Sequence, residues 1–529
     1  MSRHSIVRLG HDALLKGKVV HTRHGCKPVH AFLGIPYAEP PVGELRFKRP
    51  QATPLWQGTR DAFDYGPVCP QPFGEAQIKM YGGTVAAPKM SEDCLYLNVW
   101  TPNPSKDAKL PVMVWIYGGG FVYGFSNMFD GTAYADKQDV VFVSLNYRVG
   151  ICGFMCLEDE KAPGNMGLLD QVMALKWIQE NIGAFGGDPD NVTLFGESAG
   201  GISTSYHTIS KLSRGLFHKI ICQSGVCLSD FFFWPTKNAK KYITKRVQSL
   251  GCPARSSEEI MEWLKDKDVL SLVDELGEGF FPVFDKYFIE EHPIAMYSRG
   301  DFQRVPAIIG CTSHEGTMFV FGQDTTRVQL SSYEEAQFTA KTMILGSVFR
   351  GRKNADKVYE AAWDLYIGQE TDLIKISELV VEMFGDIIFV IPSITAADLH
   401  SSKCPTYMYQ YTHRSFRSQW PEWVDADHGE EVELVLGFPF LEAYPDVWPE
   451  EEKQFSEQLM SYWANFARTG NPNGAGLDPW SKYDSHSRSV ISLNGRHGSQ
   501  KSSKIDVERL QFWTVEVPKI IEGGETSKL

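Results

Sequence analysis

The sequence predicts an α/β protein: a large, mostly parallel central sheet with helices on both faces. Three observations carry this. Apolar runs of strand length recur along the chain, helix-period patterns lie between them, and "NVTLFGESAGG" (Asn191–Gly201) passes from such a run into small residues around Ser198. The runs are "LPVMVWIYG" (Leu110–Gly118), "VVFVSLNYR" (Val140–Arg148), "NVTLFGE", "KIICQSG" (Lys219–Gly225), "VPAIIGC" (Val305–Cys311) and "PTYMYQY" (Pro405–Tyr411). Continuous apolar stretches suit strands covered on both faces. Between them, "GLLDQVMALKWIQENI" (Gly167–Ile182) puts Leu168, Val172, Leu175 and Ile178 near one face with polar residues opposite. A second helix runs through "EKQFSEQLMSYWANFART" (Glu452–Thr469). Alternation of this kind argues for a parallel sheet, whose ligand sites gather beyond the carboxyl ends of the strands. The turn-rich N-terminal part, with "GIPYAEPPVGELRF" (Gly34–Phe47), reads as a small antiparallel appendage. The regions from Cys252 to Asp301 and from Ser331 to Asp386 read as helical insertions.

No linker, like-charge block or repeat divides the 529 residues, so the chain reads as one domain over 1–529. A net charge of −13 disfavours a nucleic-acid binder, which needs a basic face. No run approaches the roughly 18 apolar residues of a membrane span, so no transmembrane segment is expected. "MSRHSIVRLGHDALLKGKVV" lacks the apolar core of a signal peptide. The terminal Ser527-Lys528-Leu529 matches the address read by a peroxisomal import receptor; the other reading is an accidental tail. The ten cysteines have no metal-type spacing, so no zinc site is expected. Together these point to an intracellular protein, in peroxisome or cytoplasm, and not a secreted one.

Gly196-Glu197-Ser198-Ala199-Gly200 matches G-x-S-x-G between a strand and "ISTSYHTIS", a plausible helix. Glycines there permit the strained turn that pushes a serine hydroxyl out above a sheet. A helix starting behind that serine aims free N–H groups at developing negative charge. Such a serine needs a histidine base with a carboxylate behind it. The chain order Ser, acid, His points to Glu315 in "VPAIIGCTSHEG" and His428 in "VDADHGEEVELVLG", each just past a strand. The residues alone leave Glu315 open between a triad acid and a solvated loop acid, and His428 between a base and a filler. "IYGGGFVYG" (Ile116–Gly124) sets glycines directly after a strand. One or two amides there, with that of Ala199, would form an oxyanion hole. "SDFFFWP" supplies Phe231, Phe232, Phe233 and Trp234, which read equally as an acyl pocket or as core packing.

Taken together, these residues resemble the carboxylesterase/cholinesterase family, the type-B carboxylesterases and lipases. The resemblance rests on "FLGIPYAEPPVGELRF", "SEDCLYLNVWTP", "IYGGGF", "LNYRVG", "GNMGLLDQVMALKWIQENIGAFGGDP", "TLFGESAGG", "DADHGEE" and "WANFARTGNPN". It implies an α/β-hydrolase fold with helical insertions over the active site. It implies Ser198 as nucleophile, His428 as base, Glu315 as third member, and Gly119, Gly120 and Ala199 as oxyanion donors. The activity it implies is hydrolysis of a small-molecule carboxylic ester through an acyl-enzyme, with no cofactor or metal. An acyl-CoA thioesterase and a lipase remain alternatives. The family's adhesion proteins lack the nucleophile, whereas all three triad residues are present here. Of the family's disulfides, the first maps to Cys69 and Cys94, which are a possible bridge. The second would pair Cys252 with the position of Trp263, and the third would join those of Ile391 and Leu510, so neither can form. That fits a reducing compartment. Cholinesterases hold choline on a tryptophan in the loop closed by the first disulfide. Here Pro70–Asp93 has none, so acetylcholine would lack its cation–π platform.

Overall fold

The apolar runs become strands: Leu110–Ile116, Val141–Leu145, Gly187–Glu197, Lys219–Gln223, Ala307–Thr312 and Thr406–Tyr411. The structure, a computed structural model, describes residues 4–523 except 11, 24, 26, 73–87, 254, 278, 323, 445–446, 499 and 503–504. Ser527-Lys528-Leu529 and the middle of the loop between Cys69 and Cys94 therefore lie outside the described residues. The chain groups into two compact units. The first comprises Met1–Gln223, Phe232–Ala307 and Val432–Leu477; the second comprises Ser224–Phe231, Ile308–Glu431 and Asp478–Leu529.

In the first unit the strands lie side by side in the order His4–Leu9, Ala13–Val20, Val29–Pro36, Tyr96–Thr101, Val141–Leu145, Leu110–Ile116, Gly187–Glu197, Lys219–Gln223. Pairing is antiparallel as far as Val141–Leu145, as expected of the N-terminal appendage, and parallel from there on. Gly187–Glu197 is thus flanked by the strand that leads into the glycine triplet and by Lys219–Gln223. Residues 111–116 and 192–196 are all buried, so both faces of these strands are covered. The helices Ala199–Ile209 and Glu450–Thr469 both pack on them.

The helix Met166–Asn181 departs from the expected pattern. Asp170 and Gln171, on its expected polar side, are fully buried because each has a tertiary partner. Arg148 donates to Asp170 from its backbone N at 3.0 Å, Nε at 2.8 Å and Nη2 at 2.7 Å. Burial raises the Asp170 carboxyl, against the pull of that guanidinium. Gln171 donates to Ser203 Oγ at 3.2 Å, and its Oε1 lies 2.9 Å from His207 Nε2. Two of these partners, Ser203 and His207, belong to the helix that follows Ser198.

The Cys252–Asp301 insertion contains the helices Ser257–Lys265, Val269–Leu276 and Pro293–Arg299. Ser256 caps the first in a reciprocal box with Glu259, and Asp268 caps the second. In the second unit the strands run Ala307–Thr312, Thr406–Tyr411, Val490–Leu493, Gln500–Ser502. Its insertion contains Tyr333–Met343, Ala355–Tyr366 and Leu373–Gly385. The last continues through a π-turn, Asp386–Val390, into Ile391–Ser401. This 29-residue helix is apolar enough to cross a membrane by length and composition, but 67% of its apolar window is buried within the protein, as in a core helix.

Candidate active site

Strand Gly187–Glu197 ends one residue before helix Ala199–Ile209 begins, and Ser198 is that residue. Its backbone is at φ 56 and ψ −124, a conformation costly for anything but glycine. Bonds on both sides hold it. Ser198 N donates to Gln223 O at 2.9 Å, and Ser198 O accepts from Ile202 N at 2.9 Å. Gln223 is fixed in turn by Trp463 Nε1, 3.0 Å from its Oε1. The sequence has the glycines permit a strained turn here, and the structure puts the strained backbone on the serine itself. The glycines are needed for close approach instead. A Cβ on Gly196 would lie 2.3 Å from Ile116 O, and one on Gly200 only 1.9 Å from the same atom.

The glycine triplet rests directly on this serine. A Cβ on Gly118 would stand 2.9 Å from Ser198 Cβ and 2.9 Å from Glu197 Oε2. Gly119 and Gly120 take φ 98 and φ 61, and the turn closes where the N–H groups of Val122 and Tyr123 donate to Gly119 O. Tyr117 and Tyr147 brace the base of the loop. Their rings stack at 4.4 Å, and each hydroxyl donates to the other's carbonyl at 2.9 Å. Among the described residues, the amides of Gly119, Gly120 and Ala199 have no acceptor.

Glu315 and His428 come together in the second unit. His428 Nδ1 lies 2.5 Å from Glu315 Oε2, with side chains 7% and 0% exposed. The other carboxylate oxygen, Oε1, accepts from Ser224 Oγ at 2.6 Å and from Thr312 N at 2.7 Å. A carboxylate at Nδ1 keeps the proton there and leaves Nε2 as the acceptor, the tautomer a general base requires. Glu315 is therefore buried and not a solvated loop acid. The two loops are tied to each other: His314 N donates to Ala426 O at 2.9 Å, and Ala426 N to Ser313 Oγ at 3.2 Å. Beside the imidazole, burial pushes Asp427 up to about 7, against the pull of the His428 and Met318 amides. Sequence reasoning missed Ser224 and Thr312. The one local signal was a small hydroxyl residue, in "QSG", directly past a strand end.

The four aromatic candidates part company. Phe232 is buried against Phe121 and Phe281, and its Cε1 lies 4.0 Å from where a Cβ on Gly120 would be. Phe231, in the second unit, meets the edge of Phe319 at 5.9 Å. Phe233 packs on His292 of the insertion, and Trp234 on Phe281 of the insertion and on Tyr242 of the helix Thr236–Ser249 before it. Cys69 and Cys94 form a disulfide with a Cα–Cα distance of 5.0 Å. Cys252 is a buried thiol.

A serine held in a strained turn between strand and helix, with a glycine loop packed on it, is the form of a nucleophile elbow, and the class it points to is the hydrolases. The chain belongs to the carboxylesterase family, whose model matches residues 4–513. It is 38% identical to "Pyrethroid hydrolase Ces2e" of Rattus norvegicus, covering 98% of this chain and 91% of that protein. It is 36% identical to "Acylcarnitine hydrolase" of Mus musculus (99% and 93% covered) and 36% identical to "Cocaine esterase" of Homo sapiens (98% and 93%). The fold is accordingly that of the α/β-hydrolases, and the protein is a carboxylic-ester hydrolase.

Proposed function

We propose that Ser198 is the nucleophile of a two-step ester hydrolysis, with His428 as its base and Glu315 as the partner that orients and stabilises the imidazole. Ser198 Oγ attacks the ester carbonyl as Nε2 of His428 takes its proton. The oxygen that becomes negative is received by the amides of Gly119, Gly120 and Ala199, each donor being worth about 2.7–4 kcal/mol in the transition state. His428 then gives its proton to the departing alcohol. Water, deprotonated by the same histidine, attacks the acyl-serine and releases the acid. The observation that carries this reading is the backbone of Ser198, a non-glycine residue at φ 56 on the junction of strand and helix. Strain of this kind concentrates at working sites.

The substrates we assign are hydrophobic carboxylic esters. Support comes from Phe232, backed by Phe121 and Phe281 beside Gly120, which gives the glycine loop an apolar flank suited to an acyl chain. The names of the relatives, two hydrolases and an esterase, are in keeping with this reading. The test is kcat/KM across p-nitrophenyl esters from acetate to palmitate, with acyl-CoA alongside. The reading expects a maximum at intermediate chain length and a shift of that maximum in Phe232→Ala. Faster cleavage of acyl-CoA than of the esters would move the substrate class to thioesters. Activation only at a lipid interface would move it to lipids.

A further inference from the structure

We propose that Phe389 is a positioning residue for His428, its ring stacked on the imidazole so that the base keeps its plane through the reaction. The proposal rests on the reading of His428 as the base. The two ring centroids lie 4.4 Å apart with an interplanar angle of 26°, and Phe389 is fully buried. Phe319 presents an edge to His428 at 6.2 Å and lies tilted against Phe389 at 5.8 Å. The imidazole is thus bounded by a face, an edge and, at Nδ1, the Glu315 carboxylate.

The carboxylate holds the imidazole at Nδ1. A facing ring resists rotation of the imidazole out of its plane, a motion that would swing Nε2 away from the proton it must accept. It also suits the charged state, because the face of an aromatic ring attracts the imidazolium formed during attack. A misplacement of about 1 Å at a reacting group can cost about 10²-fold in rate.

The helix that carries Phe389 is held in rotation and depth by close contacts with the Glu315 turn and with neighbouring helices. Gly385 faces Glu315: a Cβ there would lie 3.2 Å from Glu315 Cβ and 3.3 Å from Gly316 N. Gly316 answers from the other side, where a Cβ would meet Val381 O at 2.0 Å. Two residues without side chains therefore let the helix press against the Glu315 turn. At Asp386 the helix opens into the π-turn Asp386–Val390, a form that concentrates at functional sites. Asp386 Oδ2 accepts from Tyr366 Oη at 2.6 Å, and Trp513 Nε1 donates to the same hydroxyl at 2.9 Å. Arg509 pairs with Glu382 at 2.6 Å and stands 3.6 Å from Asp386. Gly385 and Asp386 fix the turn on two sides, and Phe389 is delivered to the imidazole from it.

The experiment compares Phe389→Leu, Phe389→Tyr, Ile394→Ala and His428→Ala in the full chain, reading kcat, KM and thermal midpoint with a p-nitrophenyl ester. Leucine fills most of the space without an aromatic face, tyrosine restores the face, and Ile394→Ala empties buried volume on the same helix. In Phe389→Leu we expect kcat to fall about 10–100-fold with KM within about threefold, on the scale of a misoriented catalytic group. Phe389→Tyr and Ile394→Ala should stay within about threefold of the parent kcat. A folded Phe389→Leu with near-parent kcat, beside an inactive His428→Ala, overturns the proposal and leaves the base assignment standing. An active His428→Ala overturns both. If Phe389→Leu fails to fold, Phe389→Met takes its place with the same expectations. If Ile394→Ala loses kcat as Phe389→Leu does, the effect is general loosening and the proposal falls.

Discussion

Replacing Glu315 by glutamine keeps the shape of the side chain and removes its charge, and the bonds around it set the size of the effect. The carboxylate accepts on both oxygens: Ser224 Oγ and Thr312 N on Oε1, His428 Nδ1 on Oε2. An amide has one oxygen and one NH₂, so two orientations compete. With its oxygen toward Ser224 and Thr312, the NH₂ faces Nδ1. The imidazole must then accept there and carry its proton on Nε2, which disarms the base. With its oxygen toward Nδ1, the NH₂ meets the Thr312 amide, donor against donor. The Ser224 hydroxyl can rotate to suit; the Thr312 N–H cannot. A buried donor left without an acceptor costs about 1–3 kcal/mol, a preference of roughly 5–150-fold for the disarmed tautomer. Loss of the charge that stabilises the imidazolium adds to this, for a total of about 10²–10⁴-fold in kcat. The assay is steady-state hydrolysis of a p-nitrophenyl ester by protein shown to be folded by its thermal midpoint. A loss below tenfold would refute the reasoning and send the search to another acid.

Four further outcomes follow from the same geometry. In Gly119→Ala a Cβ would lie 2.2 Å from Tyr123 O, so ester turnover should fall at least about 10²-fold, the scale of one lost oxyanion donor. Gly120→Ala meets nothing nearer than Phe232 Cε1 at 4.0 Å and should suffer only the backbone strain of φ 61, about 1–2 kcal/mol read in the thermal midpoint. Asp170→Ala leaves the Arg148 guanidinium buried without its partner and should cost about 3–5 kcal/mol in denaturant unfolding, part of which the added change Arg148→Met should restore. Burial pushes His207 down to about 3 and His400 to about 4, from an ordinary value of 6.5. Below pH 6.5 the unfolded chain therefore binds protons that the folded one refuses. Stability is full above that pH and is lost as pH falls toward those values, by about 1.4 kcal/mol per unit for each histidine. His207→Gln should remove one proton's worth of that slope; an unchanged slope would contradict the assignment.

The elbow was legible because its signal is local: a strand, small residues, a serine, a helix. How the glycines permit the turn was not legible: they allow close approach to Ile116 O, while the strain sits on Ser198. Glu315 and His428 are 113 residues apart, and their pairing leaves no periodic trace. Chain order and position past strand ends made both candidates but left their bland readings open, and the family resemblance favoured the triad roles. Ser224 left only the faint signal of a hydroxyl past a strand end, and Phe389 left none. One is placed by a positive φ of 48 just past a strand, the other by a π-turn within an apolar helix. Tertiary pairing also defeats amphipathic reasoning at Asp170 and Gln171, whose partners come from other elements. The run Phe231–Trp234 shows the converse, since neighbours in sequence meet different partners: Phe319 for Phe231, His292 for Phe233, and Phe281 for both Phe232 and Trp234.

The central claim is that Ser198 carries the acyl group, and a covalent label tests it most directly. After treatment with an activated organophosphate, mass spectrometry of the digested protein should find one adduct per chain, on the peptide bearing Ser198. Ser198→Ala should take no label and lose about 10⁴–10⁶-fold in kcat with an unchanged thermal midpoint. An adduct on another serine, or near-parent turnover in Ser198→Ala, would contradict the account.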